Sequence, residues 1–379
     1  MREISYEEKT LELIEKRFVL AKEERMKIWK YIQEAQLQGK KICFFGAGAQ
    51  GYLLYPYFMK KGIKVDFFCD NNQNKWGKMI IDNTLCLSLD QLKEIGDNAI
   101  VIITVFTDND IYDQLKNIGL KEVYDKGFEL FTLLEDEMLE YSEEELMKRV
   151  RILFSMLEDE TSKKIAYYKI YPMLANRQEL QQLKYTKLAS FPQYFPSDLI
   201  SLSNEESFVD CGAFDGDTFR DFYKHVDGEY SRYYGFEPDK DFYLKVCREC
   251  KESDRRNKVI NKGLSDEKGE LSFITEGNSF GGIRVGEEGS LKIEVTTIDN
   301  EITEEITFIK MDIEGSELDA LKGGKEIIKK YKPKLAISVY HKNNDLFEIP
   351  TYIKGLNESY KLYLRHHSLA FSDTVLYAL

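Results

Sequence analysis

Two short apolar runs in the second half of the chain each end on an acidic residue. The first run, Phe208–Asp210, leads into a turn, Cys211–Gly216, that contains two glycines. The second run, Tyr233–Phe236, is followed directly by Glu237. In an open parallel sheet, ligands bind at the carboxyl ends of the strands, where glycine lets the backbone approach a ligand closely. An acid at the end of the next strand can hydrogen-bond a ribose diol. The pattern therefore predicts a nucleoside-binding edge.

Loop length and charge narrow the choice of ligand at this edge. The spacing D-x-G-x-x-x-G is longer than the dinucleotide fingerprint G-x-G-x-x-G. Asp210, Asp215 and Asp217 also stand where they would repel a pyrophosphate. A ligand that carries a ribose, an adenine and a positive centre fits better, and this combination indicates S-adenosylmethionine.

Further segments, in a fixed order, make the chain resemble the FkbM family of S-adenosylmethionine-dependent methyltransferases. They are FVDCGAFDGDTF at 208–219, GFEPD at 235–239, FIKMDIEGSELDALKGG at 308–324, KLAISVYH at 334–341 and SDTVLYA at 372–378. The block K-x-D-x-E-G-x-E is the most specific, because it combines charges and glycine in a fixed order at a strand end. The resemblance covers residues 195–379 and implies an α/β fold with a seven-stranded class I methyltransferase sheet.

The predicted strand ends assign parts of the cofactor to individual residues. We expect the loop with Gly212 to carry the methionine part, and Asp210 to face the amino group directly or through water. Glu237 suits the ribose hydroxyls, although an acid before Pro238 could instead serve a helix N-terminus. The loop after the third strand would lie along the adenine. The complete predicted cofactor set is Asp210, Gly212, Ala213, Phe214, Asp215, Gly216, Glu237, Pro238, Gly263, Leu264 and Asp312.

Two residues are candidates for the acceptor side. Methyl transfer from a sulfonium is an in-line displacement, so the enzyme has to align donor and acceptor and remove a proton from a hydroxyl. Asp312 follows the predicted fourth strand, Phe308–Met311, on the side of the donor methyl. His341 follows the predicted fifth strand, Ala336–Tyr340, and a histidine that titrates near neutrality is a natural base. A surface-loop histidine is the alternative for His341.

Metal dependence is not expected. Asp312, Glu314 and Glu317 could together suggest a divalent ion. However, no histidine or further carboxylate within this block completes a site, and Glu317 would fit equally well at the start of the next helix. Cys247 and Cys250 lie in a predicted helix and have no second cysteine pair to complete a zinc site.

The first part of the chain contains a second glycine-rich loop. A G-x-G-x-x-G sequence follows the predicted strand Lys41–Phe45 and opens a helix, and a second strand, Val65–Cys69, ends on an acid. This context predicts a Rossmann-type nucleotide site. The candidate residues are Gly46, Gly48, Gly51 and Asp70. The segment looks like small N-terminal domains of sugar-modifying enzymes, which favours a nucleotide or nucleotide-sugar as ligand. Alternatively, the glycines merely pack helix against strand. Redox use of NAD is disfavoured, because the segment is too short for a six-stranded dinucleotide fold.

Composition and pattern predict the organisation of the 379 residues. We expect an N-terminal helix and a small Rossmann-like domain with a third strand at Ala99–Val105 over residues 1–128, a helical connector over 129–195, and the methyltransferase domain over 196–379. A net charge of −13 argues against a general nucleic-acid binder. The chain has no apolar signal core and no apolar run of membrane-spanning length, so we expect a cytoplasmic protein with reduced cysteines. Homo-oligomerisation stays open.

The leading functional prediction is an S-adenosylmethionine-dependent O-methyltransferase that acts on a hydroxyl of a saccharide, nucleotide-sugar or glycan precursor, as in polysaccharide biosynthesis. The aromatic stretch Tyr194–Pro196 could stack on a sugar face or pack the entrance to the domain, and a hairpin is expected over residues 271–298. A lipid or polyketide hydroxyl is the rival acceptor. A non-catalytic nucleotide-binding scaffold and a dehydrogenase are the alternatives from other classes.

Overall fold

The computed structural model describes residues 4–105, 110–124, 141–175, 179, 188–251, 254–275, 283–285, 291–342, 344–368 and 372–379. The predicted domain end at residue 128, the start of the connector and the tip of the predicted hairpin lie outside the described residues. None of the described helices combines the length and the apolar character that crossing a bilayer requires.

A long first helix, α1 (Tyr6–Leu37), connects two cores of the molecule. Its start is fixed by a capping box, in which Ser5 Oγ accepts from the Glu8 N–H at 3.2 Å and the Glu8 carboxylate accepts from the Ser5 N–H at 2.9 Å. Residues of the first half, such as Ile14, are buried with the C-terminal half of the chain. Residues of the second half, such as Ile32, are buried against the first sheet. The predicted helix over the first residues is therefore confirmed, and it packs on both halves.

The first sheet has five parallel strands in the order β3-β2-β1-β4-β5. They are β1 (Lys41–Phe45), β2 (Phe67–Cys69), β3 (Leu85–Leu87), β4 (Ala99–Ile103) and β5 (Glu122–Tyr124). The connecting helices are α2 (Ala49–Lys60), α3 (Leu89–Ile95) and α4 (Asp110–Asn117), with short 3₁₀ turns at Gln73–Lys75 and Gly96–Asn98.

Two corrections concern this sheet. The sequence pattern predicted three strands, but β3 and β5 flank them as edge strands of three residues each. Only the central residue of each edge strand is buried, Cys86 and Val123, so neither produces a recognisable apolar run. The second predicted strand, β2, begins at Phe67 rather than Val65. The third predicted strand, β4, ends at Ile103 rather than Val105.

Two helices, α5 (Glu143–Met156) and α6 (Glu160–Leu174), follow in the connector. Ser142 and Asp159 cap them, since each side chain accepts from a backbone N–H three residues on. Leu146 and Leu153 of α5 and Ile165 of α6 are buried in the core of the C-terminal half. In its described part, the connector is helical as predicted.

The C-terminal half is built on a seven-stranded sheet in the order β15-β16-β14-β13-β6-β7-β8. Its elements in chain order are β6 (Ser207–Cys211), α7 (Asp217–His225), β7 (Arg232–Phe236), α8 (Lys240–Glu249), β8 (Asn257–Ile260), β9 (Gly263–Leu264), β10 (Gly269–Thr275), β11 (Ile283–Val285), β12 (Leu291–Thr296), α9 (Ile298–Glu301), β13 (Phe308–Met311), α10 (Glu317–Gly323), α11 (Lys325–Tyr331), β14 (Lys334–Ser338), α12 (Asp345–Leu356), β15 (Leu362–His366) and β16 (Thr374–Ala378). All neighbours pair in parallel except β16, which is antiparallel to both β14 and β15.

This strand order confirms the predicted α/β class with two Rossmann-like units and a class I methyltransferase sheet. β9–β12 form a separate sheet in the order β11-β10-β12-β9, in which β10 pairs antiparallel with both β11 and β12. The fifth core strand, β14, ends at Ser338 rather than Tyr340. His341 therefore lies in the loop after the strand.

Candidate active site

A cavity of about 370 Å³ lies at the carboxyl ends of the central strands of the seven-stranded sheet. Its size is in the range of small-molecule and cofactor pockets, and its place is where open parallel sheets bind ligands. Seven residues of the predicted cofactor set line it: Gly212, Phe214, Glu237, Pro238, Gly263, Leu264 and Asp312. They come from the ends of β6, β7 and β13 and from β9, so the fold brings together positions up to 100 residues apart in sequence.

Four members of the predicted set do not line the cavity. Ala213 is fully buried in an apolar cluster, and Gly216 precedes α7. The Asp215 carboxylate pairs with the guanidinium of Arg220 at 3.0 Å. Asp210 is fully buried, and its two oxygens lie 3.1 Å from the Lys310 ammonium and 3.1 Å from the Tyr233 hydroxyl, respectively. The Asp210 carboxylate therefore does not reach the cavity itself but pairs with Lys310, which lines it.

The glycine loop after β6 is held in place from two sides. Gly212 has φ +83°, and a Cβ there would lie 2.0 Å from the carbonyl oxygen of Asp312. Its N–H and that of Ala213 both donate to the Phe236 carbonyl at 3.0 Å. The Lys310 ammonium donates to the Gly212 carbonyl at 2.6 Å. Glycine is required at 212 because β13 approaches so closely and because the backbone is left-handed.

Lys310 lines the cavity, and the sequence analysis did not assign it to the site. It is 2% exposed in the middle of β13, between Asp210 and the cavity. Burial, the largest influence, lowers the pKa of Lys310, but the nearby carboxylates of Asp210 and Asp312 more than offset it, so the net shift is upward. Lys310 is therefore a cation at neutral pH. The signal in the sequence was a lysine inside an otherwise apolar strand.

Glu237 is oriented by the backbone of two loops. Its Oε2 accepts from the Phe214 N–H at 2.8 Å and its Oε1 from the Asp239 N–H at 2.9 Å. Burial raises the pKa of Glu237 to about 7, although these backbone hydrogen bonds lower it. The cap of α8 is Asp239, which accepts from the N–H groups of Asp241 and Phe242. Asp239, and not Glu237, therefore caps the N-terminus of α8.

Asp312 accepts hydrogen bonds from two tyrosines. The Tyr194 hydroxyl donates to Oδ2 at 2.6 Å and the Tyr340 hydroxyl to Oδ1 at 3.0 Å. Burial, the largest influence, raises the pKa of Asp312, but His341, Lys310 and the two hydroxyls outweigh it and the pKa is lowered. Asp312 is therefore an oriented carboxylate at neutral pH. Tyr194 does not stack from an exposed position: it is 8% exposed.

His341 lies among three carboxylates. Its Nε2 is 3.4 Å from Asp312 Oδ1 and 3.6 Å from Glu314 Oε2, and its Nδ1 is 2.9 Å from Glu317 Oε1. Burial, the largest influence, lowers the pKa of His341, but the carboxylates together raise it to about 9. The expectation of a histidine that titrates near neutrality is corrected, because the surrounding negative charge retains the proton.

This cluster also corrects the argument against a metal. No histidine completes the acidic block in sequence, but His341 joins it in space. The reason is that β13 and β14 are adjacent parallel strands, so the loops after them meet. Asp312, Glu317 and His341 each present one ligand atom within 4.8 Å of the others.

Several residues of the cavity wall adopt left-handed backbone conformations. Of the nine described residues other than glycine with positive φ, four line the cavity: Tyr194, Phe214, Glu314 and Asp373, with φ between 47° and 64°. Such conformations cost energy and are concentrated at functional sites. Further lining residues that the sequence analysis did not assign include Gln193, Lys262, Phe242, Val295 and Ser316.

The glycine loop of the first sheet divides into two kinds of position. At Gly46, with φ +122°, a Cβ would lie 2.6 Å from Val105 Cγ1, and at Gly51 it would lie 2.6 Å from the Gly46 carbonyl oxygen. Both residues are thus explained by packing. A Cβ at Gly48 meets nothing within 4 Å. Gly48 is therefore the position with room for a ligand.

Asp70 ends β2 beside this loop, but its carboxylate already has protein partners. It accepts from the Ala47 N–H at 2.9 Å, the Asn72 N–H at 2.8 Å and the Lys75 ammonium at 2.8 Å. Although burial, the largest influence, raises the pKa of Asp70, these hydrogen bonds lower it overall. Asp70 stabilises the glycine loop in this structure.

Two family models match the chain. One describes the methyltransferase FkbM domain and matches residues 210–362. The other describes a C-methyltransferase C-terminal domain and matches residues 3–123. No match was found among curated proteins.

One solved structure supports the first match, and two others share only part of the chain. The methyltransferase FkbM from Methylobacillus flagellatus KT is 25% identical, with 92% of this chain and 93% of that chain covered and a TM-score of 0.67. An rRNA methylase from Streptococcus thermophilus is 14% identical over 47% of this chain and 88% of its own, with a TM-score of 0.30. Fibrillarin from Aeropyrum pernix, with natively bound S-adenosyl-L-methionine, is 12% identical over 48% of this chain and 70% of its own, with a TM-score of 0.28.

The strand order, the cavity at the strand ends and the similarity across both halves agree: the protein is a methyltransferase, and its residues 210–362 match the methyltransferase FkbM domain.

Proposed function

We propose that the protein transfers the methyl group of S-adenosylmethionine to a hydroxyl of a saccharide, nucleotide-sugar or glycan precursor. The observation that carries this proposal is the cavity in which Gly212, Glu237 and Asp312 meet at the ends of three adjacent strands. The cavity combines a backbone loop, a carboxylate that can accept hydrogen bonds from a ribose, and a second, oriented carboxylate. Donor binding needs the first two, and removal of the proton needs the third.

The donor half of the cavity suits S-adenosylmethionine by shape and charge. Glu237 has two oxygens oriented by backbone N–H groups, and a carboxylate held in this way can accept from two ribose hydroxyls. Leu264 and Val295 supply apolar wall for an adenine. Carboxylates of Asp217 and Asp312 line the cavity and favour the sulfonium charge.

The acceptor half supports deprotonation by Asp312. In the transfer, the acceptor O–H bond breaks, the oxygen forms the new C–O bond with the methyl carbon, and the C–S bond breaks with its electron pair on sulfur. The products are a methyl ether, S-adenosylhomocysteine and one proton. Asp312 is ionised and oriented by Tyr194 and Tyr340, so it can position the hydroxyl and take up that proton. Without a bound cation, the surrounding carboxylates raise the pKa of His341 to about 9, so His341 does not serve as the base at neutral pH.

The saccharide class is supported by the N-terminal half. Gly48, at the start of α2, leaves open space beside the glycine loop. Backbone N–H groups at a helix N-terminus favour phosphate groups, which fits a nucleotide-sugar. A lipid or polyketide hydroxyl is the rival acceptor.

The test is methyl transfer from radiolabelled S-adenosylmethionine to a panel of nucleotide-sugars, free saccharides, lipid alcohols and polyketides. We expect label in a saccharide-containing product, and a rate that falls about 10²–10⁴-fold in Asp312→Asn, the usual contribution of a general base. Glu358→Gln, an exposed acid after α12, is the matched control and should keep the wild-type rate. Label in the lipid or polyketide arm alone would refute the saccharide class. Full activity of Asp312→Asn would refute its role as base.

A further inference from the structure

Four side chains with ligand atoms for a metal converge at one side of the cavity. Asp312 and Glu314 follow β13, Glu317 begins α10, and His341 follows β14. One atom each from Asp312, Glu317 and His341 lies within 4.8 Å of the others. The convergence depends on the adjacent ends of β13 and β14, not on a contiguous sequence motif.

The distances in this cluster suit a small divalent cation. His341 Nε2 lies 3.4 Å from Asp312 Oδ1 and 3.6 Å from Glu314 Oε2. Ligand atoms bound at about 2.0–2.2 Å to one ion are separated from each other by about 3–3.5 Å. Small side-chain rotations would therefore allow these atoms to share one ion.

One buried atom in the cluster, Glu317 Oε2, has no hydrogen-bond partner among the described residues. Glu317 is fully buried, and the His341 side chain is 10% exposed. His341 Nδ1 lies 2.9 Å from Glu317 Oε1, so Nε2, on the side of Asp312 and Glu314, is the imidazole atom that would bind the cation. Buried polar atoms nearly always have a partner, so Glu317 Oε2 indicates a missing ligand.

We propose that Asp312, Glu317 and His341 bind one divalent cation of the Mn²⁺ class, with Glu314 as a further ligand. One imidazole with several carboxylates is a donor set that suits Mn²⁺ and resembles neither a thiolate zinc site nor an all-oxygen calcium site. Glu317 also has its Oε1 fixed by the Ile313 N–H at 2.8 Å, which orients the second oxygen.

The cation would act at the wall of the cavity, since Asp312 and Glu314 line it. This use rests on the proposed function. A hydroxyl oxygen of the acceptor bound to the cation would lose its proton more easily, and Asp312 would take up that proton as in the proposed function. The resulting alkoxide forms the C–O bond to the methyl carbon while the C–S bond breaks. The cation is neither oxidised nor reduced.

Binding of Mn²⁺ to tag-free, full-length protein is the test. We would follow the loss of the free-ion electron paramagnetic resonance signal and the calorimetric heat during titration with MnCl₂. One Mn²⁺ should bind per chain, and His341→Ala and Glu317→Gln should each weaken binding by at least about tenfold, since even the loss of a residue that only supports a ligand costs about that much. His225→Ala, at the exposed end of α7, is the matched control and should bind like the wild type.

Binding of S-adenosylhomocysteine, measured on the same samples, separates this proposal from the proposed function and reports on folding. A wild type that binds no Mn²⁺ at 1 mM, on the order of the weakest metal sites in proteins, would overturn the proposal. Equal Mn²⁺ affinity in the wild type and in a His341→Ala variant that still binds S-adenosylhomocysteine would overturn it too. Failure to bind S-adenosylhomocysteine in the wild type would instead count against the proposed function and leave the Mn²⁺ result to stand.

Discussion

Glu237 leads to a quantitative prediction about pH. Its pKa is raised to about 7 by burial, against the lowering effect of the N–H groups of Phe214 and Asp239. If ribose binding needs the carboxylate, the competent fraction of free protein rises from about one in ten at pH 6 to about nine in ten at pH 8. Apparent affinity scales with that fraction, so the Kd for S-adenosylhomocysteine should fall about tenfold over this range.

The same shift has a consequence for stability, with a sign that follows from linkage. The folded protein binds the Glu237 proton more tightly than the unfolded chain, whose glutamate has the ordinary pKa of 4.5. The contribution is therefore fully present below about pH 4.5 and is lost as pH rises through about 7, with a ceiling of about 3 kcal/mol. Bound cofactor should oppose this loss, because it favours the ionised carboxylate.

Isothermal titration calorimetry at pH 6, 7 and 8, at constant ionic strength, measures the effect. Two buffers of different ionisation enthalpy should in addition reveal release of a fraction of a proton on binding at pH 7. Glu237→Gln should bind more weakly, by about 1.5–3 kcal/mol for a lost charge-assisted hydrogen bond, and with little pH dependence. Glu358→Gln should behave as the wild type. A wild-type Kd that is equal at pH 6 and pH 8, or a pH slope that survives in Glu237→Gln, would refute the reasoning.

Three further predictions concern other contacts of the two glycine loops and the acceptor side. Gly212→Ala should abolish S-adenosylhomocysteine binding and lower Tm, because its Cβ would overlap the Asp312 carbonyl; wild-type binding would contradict the loop assignment. Tyr194→Phe should leave the Kd for S-adenosylhomocysteine unchanged and lower the transfer rate, since its hydroxyl orients Asp312; an unchanged rate would mean that this hydrogen bond is dispensable. Gly48→Val should keep the wild-type Tm but lose nucleotide-sugar binding in calorimetry, whereas Gly46→Val should lower Tm through its clash with Val105. Retained nucleotide-sugar binding in Gly48→Val would place the ligand elsewhere.

The amino-acid sequence by itself determined the main functional edge of the molecule. The predicted strand ends at Asp210, Glu237 and Asp312 were recognisable because an acid follows a short apolar run at each of them. This pattern is local in the sequence, so it can be read without the tertiary structure. The resemblance to the FkbM family implied the class I sheet, and Gly212 was predicted from its place directly after a strand.

The tertiary structure alone decided which groups line the cavity and which meet each other. Asp210 and Lys310 neutralise each other beneath the cavity because β6 and β13 are neighbours, and Tyr194 reaches Asp312 across 118 positions. His341 joins Asp312 and Glu317 because parallel strands bring their end loops together. Short-range pattern cannot encode such contacts, since side-chain burial, charge pairing and pKa depend on elements that are distant in sequence and adjacent only after the sheet has formed.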